Sequence, residues 1–309
     1  MDTITHALTG AVIGYAGFRQ RSGRMALWTA IAASEFPDID IVMAWGGSET
    51  YLHYHRSFTH SALLLPFWAA LVAGTFRALA GRRGFRLLYT VSALSIASHL
   101  LLDWITNYGT ELLWPMTDGR FALSWVFIVD VYMWAALLAG LIASVVTQRA
   151  AVARATLGLV AAYFLFCGAS RAVVLQRVRA STPPLARLDV FPQPMNPLSW
   201  TIIRDDGPVL HWIARGRNDS FVQFRDQKLL PEAEATPAVK LFRWFAAFPL
   251  VEKREANGLT VLRYRDLRFR TMFPNGRVSE GMFMTARVVF NREGNVLKSV
   301  LTGEAEDRR

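Results

Sequence analysis

Long stretches without a charged residue constrain the fold of this chain more than any other feature. They include residues 3–18, 57–76, 87–102, 131–148 and 155–170. A helix that crosses a bilayer needs about 20 mostly apolar residues, with a lower limit near 17. We therefore predict six membrane helices, over approximately 3–19, 24–44, 58–79, 86–104, 121–147 and 152–172. The first two remain open to an interfacial or re-entrant placement.

The charge content changes near residue 180. Residues 1–180 carry 14 Arg, no Lys and 9 acidic residues, whereas residues 181–309 carry 20 basic and 15 acidic residues. Charged residues make up about a quarter of an ordinary soluble domain, so only the second part has that composition. We predict an all-α polytopic membrane bundle over 1–175, a Pro-rich linker over 176–200, and a small soluble α+β domain with an antiparallel sheet over 201–309.

Arginine alternates between the predicted connections. The odd connections hold nine arginines, whereas the even ones, about 45–57 and 105–120, hold only Arg56 and Arg120. An excess of Lys and Arg marks cytoplasmic loops, so the N-terminus and the even connections are predicted outside. Six crossings return the chain to the side of the N-terminus, so the tail is predicted outside as well. Arg171, Arg177 and Arg179 argue against this placement of the tail. A net charge of +10 is compatible with a nucleic-acid partner, but the arginines of the first part cluster at the ends of apolar runs, which membrane orientation explains better, so no nucleic-acid partner is predicted.

The tail carries hairpin signals. Strands are predicted near 209–215 and 220–226, joined by a turn at 216–219, and near 283–290 and 296–302. A further strand near 259–273 follows the turn at Asn257-Gly258, and a short helix from Pro237 to about Ala247 has Pro in its first turn.

His99 and Asp103 are the strongest candidates for chemistry. They stand four residues apart, so they share one face of a helix and can approach one metal ion, or Asp103 can orient His99. The alternative is a hydrogen-bonded pair at a helix end. Ionisable groups in a membrane segment are expensive and usually functional, which favours a functional interpretation.

Two further motifs carry carboxylates and imidazoles. Asp38 and Asp40 follow Pro37 and can supply a ligand together with a base or bridging ligand, the alternative being a polar helix end. His55 and His60 flank a polar turn in which Arg56 suits a phosphate or carboxylate. His6, taken alone, would be read as a buried core histidine.

The predicted orientation brings these residues to one membrane face. Imidazole and carboxylate without thiolate suit zinc, manganese or iron, and the number of candidates allows two or three ions. Paired metals activate water and hold both oxygens of an in-line displacement. The chain has no Gly-x-Ser-x-Gly elbow or P-loop. The predicted ligands are His6, Asp38, Asp40, His55, His60, His99 and Asp103, with Asp40 and Arg56 as catalytic candidates.

The ordered motifs resemble those of the YdjM-like family of bacterial inner-membrane, metal-dependent hydrolases. They are Met1-Asp2-x-x-Thr5-His6, Pro37-Asp38-x-Asp40, His55-Arg56-x-x-Thr59-His60 and His99-x-x-x-Asp103 followed by Asn107-x-Gly109, within residues 1–170. That family in turn resembles the zinc-dependent phospholipase C and single-strand nuclease superfamily, which builds clustered zinc sites from His and Asp. The resemblance implies ligands first at His6, Asp38, His60, His99 and Asp103, and next at Asp40 and His55.

We therefore expect a multi-pass hydrolase of the bacterial inner membrane, with its metal site on the extracytoplasmic side. Its substrate would be a phosphodiester or other ester of an amphiphile such as a lipid, attacked by metal-activated water. The alternative is a non-enzymatic metal-transport or metal-sensing protein with a partner-binding tail. A third interpretation is a membrane anchor whose polar clusters are fortuitous. The oligomeric state is left open.

Overall fold

The computed structural model describes residues 1–79, 84–183, 186–256, 258–281 and 283–303. They form two compact units, the first comprising Met1–Val42 and Tyr54–Ser170 and the second Met43–His53 and Arg171–Arg309. Three residues used in the predictions lie outside the described residues. They are Arg82 and Arg83, which belong to the nine arginines of the odd connections, and Asn257 of a predicted turn.

The first unit opens with a helical hairpin. Helix α1 (Thr3–Ile13) continues through a π-helical turn into α2 (Arg19–Glu35). Gly17 and Gly23 have φ values of 135° and 65°, which are favourable only for glycine. A Cβ on Gly10 would lie 2.2 Å from Ser34 Oγ, and one on Gly14 would lie 2.8 Å from Leu27. These contacts show that α1 and α2 run antiparallel and in close approach.

The remaining helices of the chain's first part follow in order. They are a 3-10 helix (Phe36–Gly46), α3 (Ser48–Tyr54), a 3-10 turn (Phe58–His60), α4 (Leu65–Leu79), α5 (Phe85–Trp104), α6 (Val131–Thr147) and α7 (Ala150–Ala180). Helix α5 packs against α1, α2 and α4, and α1 also packs against α6. Helix α5 is therefore central, and residues near its C-terminal end lie among several elements.

Within the described residues, two helices are long and apolar enough to cross a membrane, α5 and α7. A third span results if Ser48–His60 and Leu65–Leu79, which are bent by 81°, are counted together. The six predicted spans exceed this number because α1 has 11 residues and α6 has 17. The structure thus establishes a helical first part with two or three candidate spans.

Several helix boundaries differ from the predicted ones for local reasons. The predicted helix 24–44 changes from α to 3-10 after Glu35, where Pro37 has no backbone N–H to continue the α-helical hydrogen bonds. The predicted helix 58–79 becomes α-helical only at Leu65, with Pro66 in its first turn. The predicted helix 121–147 begins at Val131, where the Asp130 carboxylate accepts hydrogen bonds from two backbone N–H groups of the first turn.

The second unit contains two four-stranded antiparallel sheets. The first has the order β1-β2-β3-β4, from Arg187–Gln193, Asn196–Asp205, Val209–Ala214 and Arg217–Val222. The second has the order β10-β9-β6-β5, from Val296–Gly303, Met284–Phe290, Leu259–Asp266 and Pro249–Ala256. A two-stranded ribbon pairs β7 (Thr271–Met272) with β8 (Val278–Ser279), and helices α8 (Leu229–Glu234) and α9 (Pro237–Phe245) precede β5.

The predicted antiparallel sheet is confirmed, and its hairpins lie close to the predicted positions. The turn between β3 and β4 has positive φ at Arg215 and Gly216, as a tight hairpin requires. A buried cluster that includes Phe191, Trp212 and Leu250 forms the core of this unit.

The stretch predicted as a linker, 176–200, contains the end of α7, all of β1 and the start of β2. Its prolines suggested irregular chain, but proline is tolerated at sheet edges and bulges. Pro192 lies on the edge strand β1 beside a register shift, and Pro197 precedes the part of β2 that pairs with β3. Pro184 and Leu185 of this stretch lie outside the described residues.

Candidate metal centre

Four separate segments bring the predicted ligands together. Helix α5 supplies His99 and Asp103, and the 3-10 helix Phe36–Gly46 supplies Asp38 and Asp40. Two groups of residues could each hold a metal ion, because the ligand atoms within each group all lie within 4.8 Å of one another. The first is Asp38, His60, His99 and Asp103, and the second is Asp38, Asp40 and His55. Asp38 belongs to both groups, so the two candidate sites are adjacent.

The ring nitrogens of His60 and His99 are arranged as metal ligands require. His99 Nδ1 lies 2.6 Å from the Ser34 carbonyl oxygen, which can only accept, so this nitrogen carries the proton. His60 Nδ1 lies 3.0 Å from the Thr59 hydroxyl oxygen, whose own hydrogen is donated to Asp40, so this nitrogen also carries a proton. In the neutral rings both Nε2 atoms therefore carry lone pairs, and these two atoms lie 3.1 Å apart. Two facing lone pairs repel unless a cation or proton lies between them.

Two carboxylates complete the first group. His60 Nε2 lies 3.5 Å from Asp38 Oδ1 and 3.2 Å from Asp103 Oδ2. His99 Nε2 lies 3.6 Å from each of the same two oxygens. Ligands bound to zinc at about 2.0–2.2 Å lie about 3.4 Å from one another in a tetrahedral site. The N–N and N–O distances are thus close to those of a tetrahedral site, and these four residues could hold one divalent ion.

His6 lies beside this group. Its ring stacks on that of His99, with centroids 3.6 Å apart, and its Nε2 is 3.4 Å from Asp103 Oδ1. Neither ring nitrogen of His6 has a hydrogen-bond partner among the described residues, although both are buried. Buried polar atoms are normally paired, so His6 has the donor atoms of a further ligand. The Met1 amino group also contacts Asp103 Oδ1.

Asp40 occupies a different position from the other carboxylates. Its Oδ1 lies 2.8 Å from His55 Nδ1, and its Oδ2 accepts from the Arg56 backbone N–H at 2.9 Å and the Thr59 hydroxyl at 3.0 Å. Together with His60 Nδ1, these donors surround the carboxylate. Asp40 thus orients two histidines, as carboxylates next to ligating histidines commonly do.

Arg56 lies at the edge of the first group. Its Nη2 is 2.8 Å from Asp103 Oδ1, and its Nη1 donates to Thr106 Oγ1 at 3.4 Å. Its φ of 63° is unusual for a residue with a side chain. Bonds on both sides hold this backbone, because its N–H donates to Asp40 and its carbonyl accepts from the Glu111 N–H. Such local strain often occurs at functional sites.

Tyr108 and Arg120 are the residues that the sequence reasoning missed. The guanidinium groups of Arg56 and Arg120 lie 4.6 and 5.3 Å from the centroid of the Tyr108 ring. Arg120 also donates to the carbonyl oxygen of His55. A Cβ on Gly109 would lie 3.1 Å from Arg120, so the glycine permits this approach. Two features of the sequence could have indicated these residues. Tyr108 lies inside the Asn107-x-Gly109 motif, and Arg120 is an isolated arginine of a connection predicted outside.

Three further acidic residues have local roles. Asp2 caps α1 through the Thr5 N–H and accepts from the Trp134 indole. Asp130 caps α6 and accepts from the Tyr163 hydroxyl at 2.7 Å. Glu111 is buried in the connection after α5; burial raises its pKa to about 7, with Arg120 opposing the rise and Asp118 adding to it.

Comparisons with known proteins agree with the membrane character of the first part. The family model of the YdjM inner membrane protein matches residues 1–174. A protein of Bacillus subtilis strain 168, named uncharacterized protein YfhP, is 26% identical over 148 residues, which is 46% of this chain and 45% of that protein. The chain thus spans less than half the length of this relative. No solved structure matches the chain. Because the family match covers more than half of its length, the chain belongs to the YdjM inner membrane protein family.

Proposed function

We propose that this protein is a membrane-bound, metal-dependent hydrolase. The observation that supports this most directly is the pair of His60 and His99 Nε2 atoms, 3.1 Å apart and flanked by Asp38 and Asp103. Hydrogen bonds on the far side of each ring orient both lone pairs toward the same point. Preorganised imidazoles of this kind are typical of ligands to a divalent metal.

Zinc is the proposed metal, since the donors are nitrogen and oxygen without thiolate. Two ions are proposed, one for each ligand group: Asp38, His60, His99 and Asp103 would hold the first, and Asp38, Asp40 and His55 would hold the second. When bound, such ions lower the pKa of a coordinated water toward neutrality and supply the nucleophile. Likeness to the zinc-dependent phospholipases and nucleases is part of this proposal.

The chain's own residues would bind and orient the substrate. Arg56 lies 2.8 Å from Asp103 and can exchange that contact for an anionic oxygen of the substrate. Tyr108 limits the movement of the guanidinium by stacking against it. Asp40 would also help to keep the His55 and His60 rings oriented, in addition to the ligand, base or bridging role predicted for it.

The 3-10 helix that carries Asp38 and Asp40 supports a lipid-like substrate. Residues three apart lie in one row on such a helix. Ile39, Val42 and Trp45 form one row, with 54%, 40% and 90% of their surface exposed, whereas Asp40 is 1% exposed. The same short helix thus has an apolar outer row and a ligand-bearing inner side. We infer that the substrate is an amphiphile, such as a phospholipid or another lipid phosphodiester.

We also propose a multi-pass topology of six membrane helices, with the metal centre on the extracytoplasmic side of the bacterial inner membrane. The alternation of arginine between connections supports this orientation. Helices α1, α2 and α6 would supply the spans beyond α5, α7 and the bent segment. Reporter fusions test the orientation, with an outside signal expected after residue 115 and an inside signal after residue 84.

The activity is tested on the full chain in lipid nanodiscs loaded with zinc. We expect hydrolysis of at least one lipid phosphodiester in a panel of headgroups. His60→Ala should reduce the rate at least 100-fold, because it removes one proposed metal ligand and leaves His99 Nε2 without the second nitrogen ligand. His211→Ala, in β3, is the matched control and should retain the full rate. No turnover by the zinc-loaded protein, or an active His60→Ala variant, would refute the proposal.

A metal-transport or metal-sensing function is the second candidate. Its support is the burial of His60, His99 and Asp103, which are 0% exposed, since closed sites are typical of structural rather than catalytic zinc. Zinc flux into liposomes that contain the protein would distinguish the two functions. Flux without hydrolysis favours transport, and hydrolysis without flux favours the enzyme.

A further inference from the structure

The second unit contains a cavity of about 420 Å³ at the end of α7. It lies between the last residues of that helix and the first residues of β1. The lining residues are Arg179, Thr182, Pro183, Ala186, Arg187 and Leu188. None of these is acidic, so the cavity has two basic side chains and no carboxylate among its described walls.

The two arginines differ from several others of the second unit. Arg171, Arg265 and Arg270 each form an ion pair with a carboxylate. Within the described residues, no such pair involves Arg179 or Arg187. The Arg187 guanidinium lies 5.0 Å from the Phe248 ring centroid, which holds it in place without neutralising its charge. Two uncompensated guanidinium groups at one cavity favour an anionic ligand.

Helix stability explains only part of this arrangement. Basic residues near a helix C-terminus interact favourably with the helix dipole, which accounts for Arg177 and Arg179. The last carbonyl groups of α7 are already bonded by the Ser181 and Thr182 backbone N–H groups. Arg187 lies on β1 and gains nothing from the dipole, so its presence in the same cavity requires another reason.

The length of α7 places this cavity at the level of lipid headgroups. A helix of 31 residues is about 46 Å long. A bilayer with its headgroups is about 40–45 Å thick. The apolar stretch 155–170 occupies the middle of the helix, and Arg171, Arg177 and Arg179 follow it. With this apolar stretch centred in the bilayer, Arg179 lies about 25 Å from the bilayer centre, at the outer edge of the headgroup layer.

We propose that this cavity binds a phosphate group between the guanidinium groups of Arg179 and Arg187. Phospholipid headgroups and free inorganic phosphate share this chemistry. Planar guanidinium groups recognise phosphate oxygens through paired hydrogen bonds. This site is separate from the proposed hydrolytic function and does not depend on it.

The test uses the full chain in detergent, with phosphatidylglycerol as the probe and native mass spectrometry as the measurement. Arg179→Gln and Arg187→Gln should each raise the Kd for the lipid at least tenfold. Arg177→Gln is the matched control, since it removes the same charge two residues away without lining the cavity. Its Kd should change less than twofold. Unfolding midpoints of all three variants check that they fold, as expected for exposed side chains.

Inorganic phosphate in the same titration identifies the source of the ligand. Competition at millimolar phosphate indicates that the phosphate group alone suffices. Lipid binding without such competition indicates that the headgroup lipid is the ligand, and phosphate binding without lipid binding indicates the free anion. The proposal is overturned if neither probe binds saturably, or if Arg177→Gln weakens binding as much as the two cavity variants.

Discussion

Both units of the protein bury charged side chains, but they balance them differently. In the sheet unit, Arg270 is 3% exposed and lies 3.1 Å from Glu280 and 2.7 Å from Asp219. Arg265 similarly bonds Glu252 and Glu280. Every cation of this network faces a carboxylate. Burial would raise the pKa of Glu280, but the hydrogen bonds from Arg270 and Arg265 outweigh it and lower that pKa.

In the helical unit, several buried polar atoms of the histidine cluster have no such partners. His60 and His99 direct lone pairs at each other, and Asp103 Oδ2 and both nitrogens of His6 have no hydrogen-bond partner among the described residues. Buried polar groups without partners are destabilising. Each of the two buried arginines of the sheet unit thus has carboxylate partners, although Arg270 Nη1 has no hydrogen-bond partner among the described residues. The histidine cluster instead brings together four residues that could hold a metal ion.

Metal removal should have the largest effect. A ligand present at about 1,000 times its Kd stabilises the folded state by about 4 kcal/mol. Treatment of the zinc-loaded protein with a chelator should therefore lower the unfolding midpoint of the helical unit by several degrees. The His60→Ala, His99→Ala double variant should show no chelator effect. An equal shift in wild type and double variant would show that the cluster is not the binding site.

Arg270→Ala should act on the sheet unit alone. Removing one partner of a buried ion pair destabilises a protein by about 3 kcal/mol, because the remaining charges stay buried. Denaturant unfolding, followed by tryptophan fluorescence, should show this loss while metal content is unchanged. Arg217→Ala is the control, since the Arg217 side chain is 47% exposed and pairs with the same Asp219. Because exposed ion pairs contribute little, this variant should unfold close to the wild-type midpoint. Loss of metal in Arg270→Ala would contradict the separation of the two networks.

Glu111→Gln should give the smallest effect, visible as a pH dependence. The raised pKa of Glu111, about 7, means that the folded protein favours the protonated carboxyl. Its contribution to stability is present below the ordinary pKa and is lost as pH rises through about 7. The always-neutral glutamine avoids this loss, so the variant should gain about 2 kcal/mol relative to wild type between pH 5 and pH 8.5. A difference that does not change with pH would contradict the burial of this carboxyl.

The sequence predicted more of the site than of the fold. The spacing of His99-x-x-x-Asp103 predicts two candidate ligands on one helix face, and the structure places both residues on α5 in one group that could hold a metal ion. The side-chain tautomers were not predictable, because they depend on the Ser34 carbonyl and on Asp40, which lie far from these histidines in sequence. Tyr108 was missed because stacking between two arginines has no sequence signature.

The fold predictions failed where proline or a polar turn changes the local geometry. Hydropathy cannot distinguish an α-helix from the 3-10 helix Phe36–Gly46, since both are apolar. It also extended a helix through 121–130, where residues instead form irregular chain and Phe121 pairs with Thr110. The hairpins of the second unit were found because Gly216 and the segment 291–295 carry strong turn signals.

Metal content of the purified full chain tests the central claim most directly. We expect at least one zinc ion per chain in wild type, measured by elemental mass spectrometry after removal of free metal. His99→Ala and Asp103→Ala should each lose at least one ion, whereas His211→Ala should keep the wild-type ratio. Identical metal content in wild type and in both cluster variants would contradict the account.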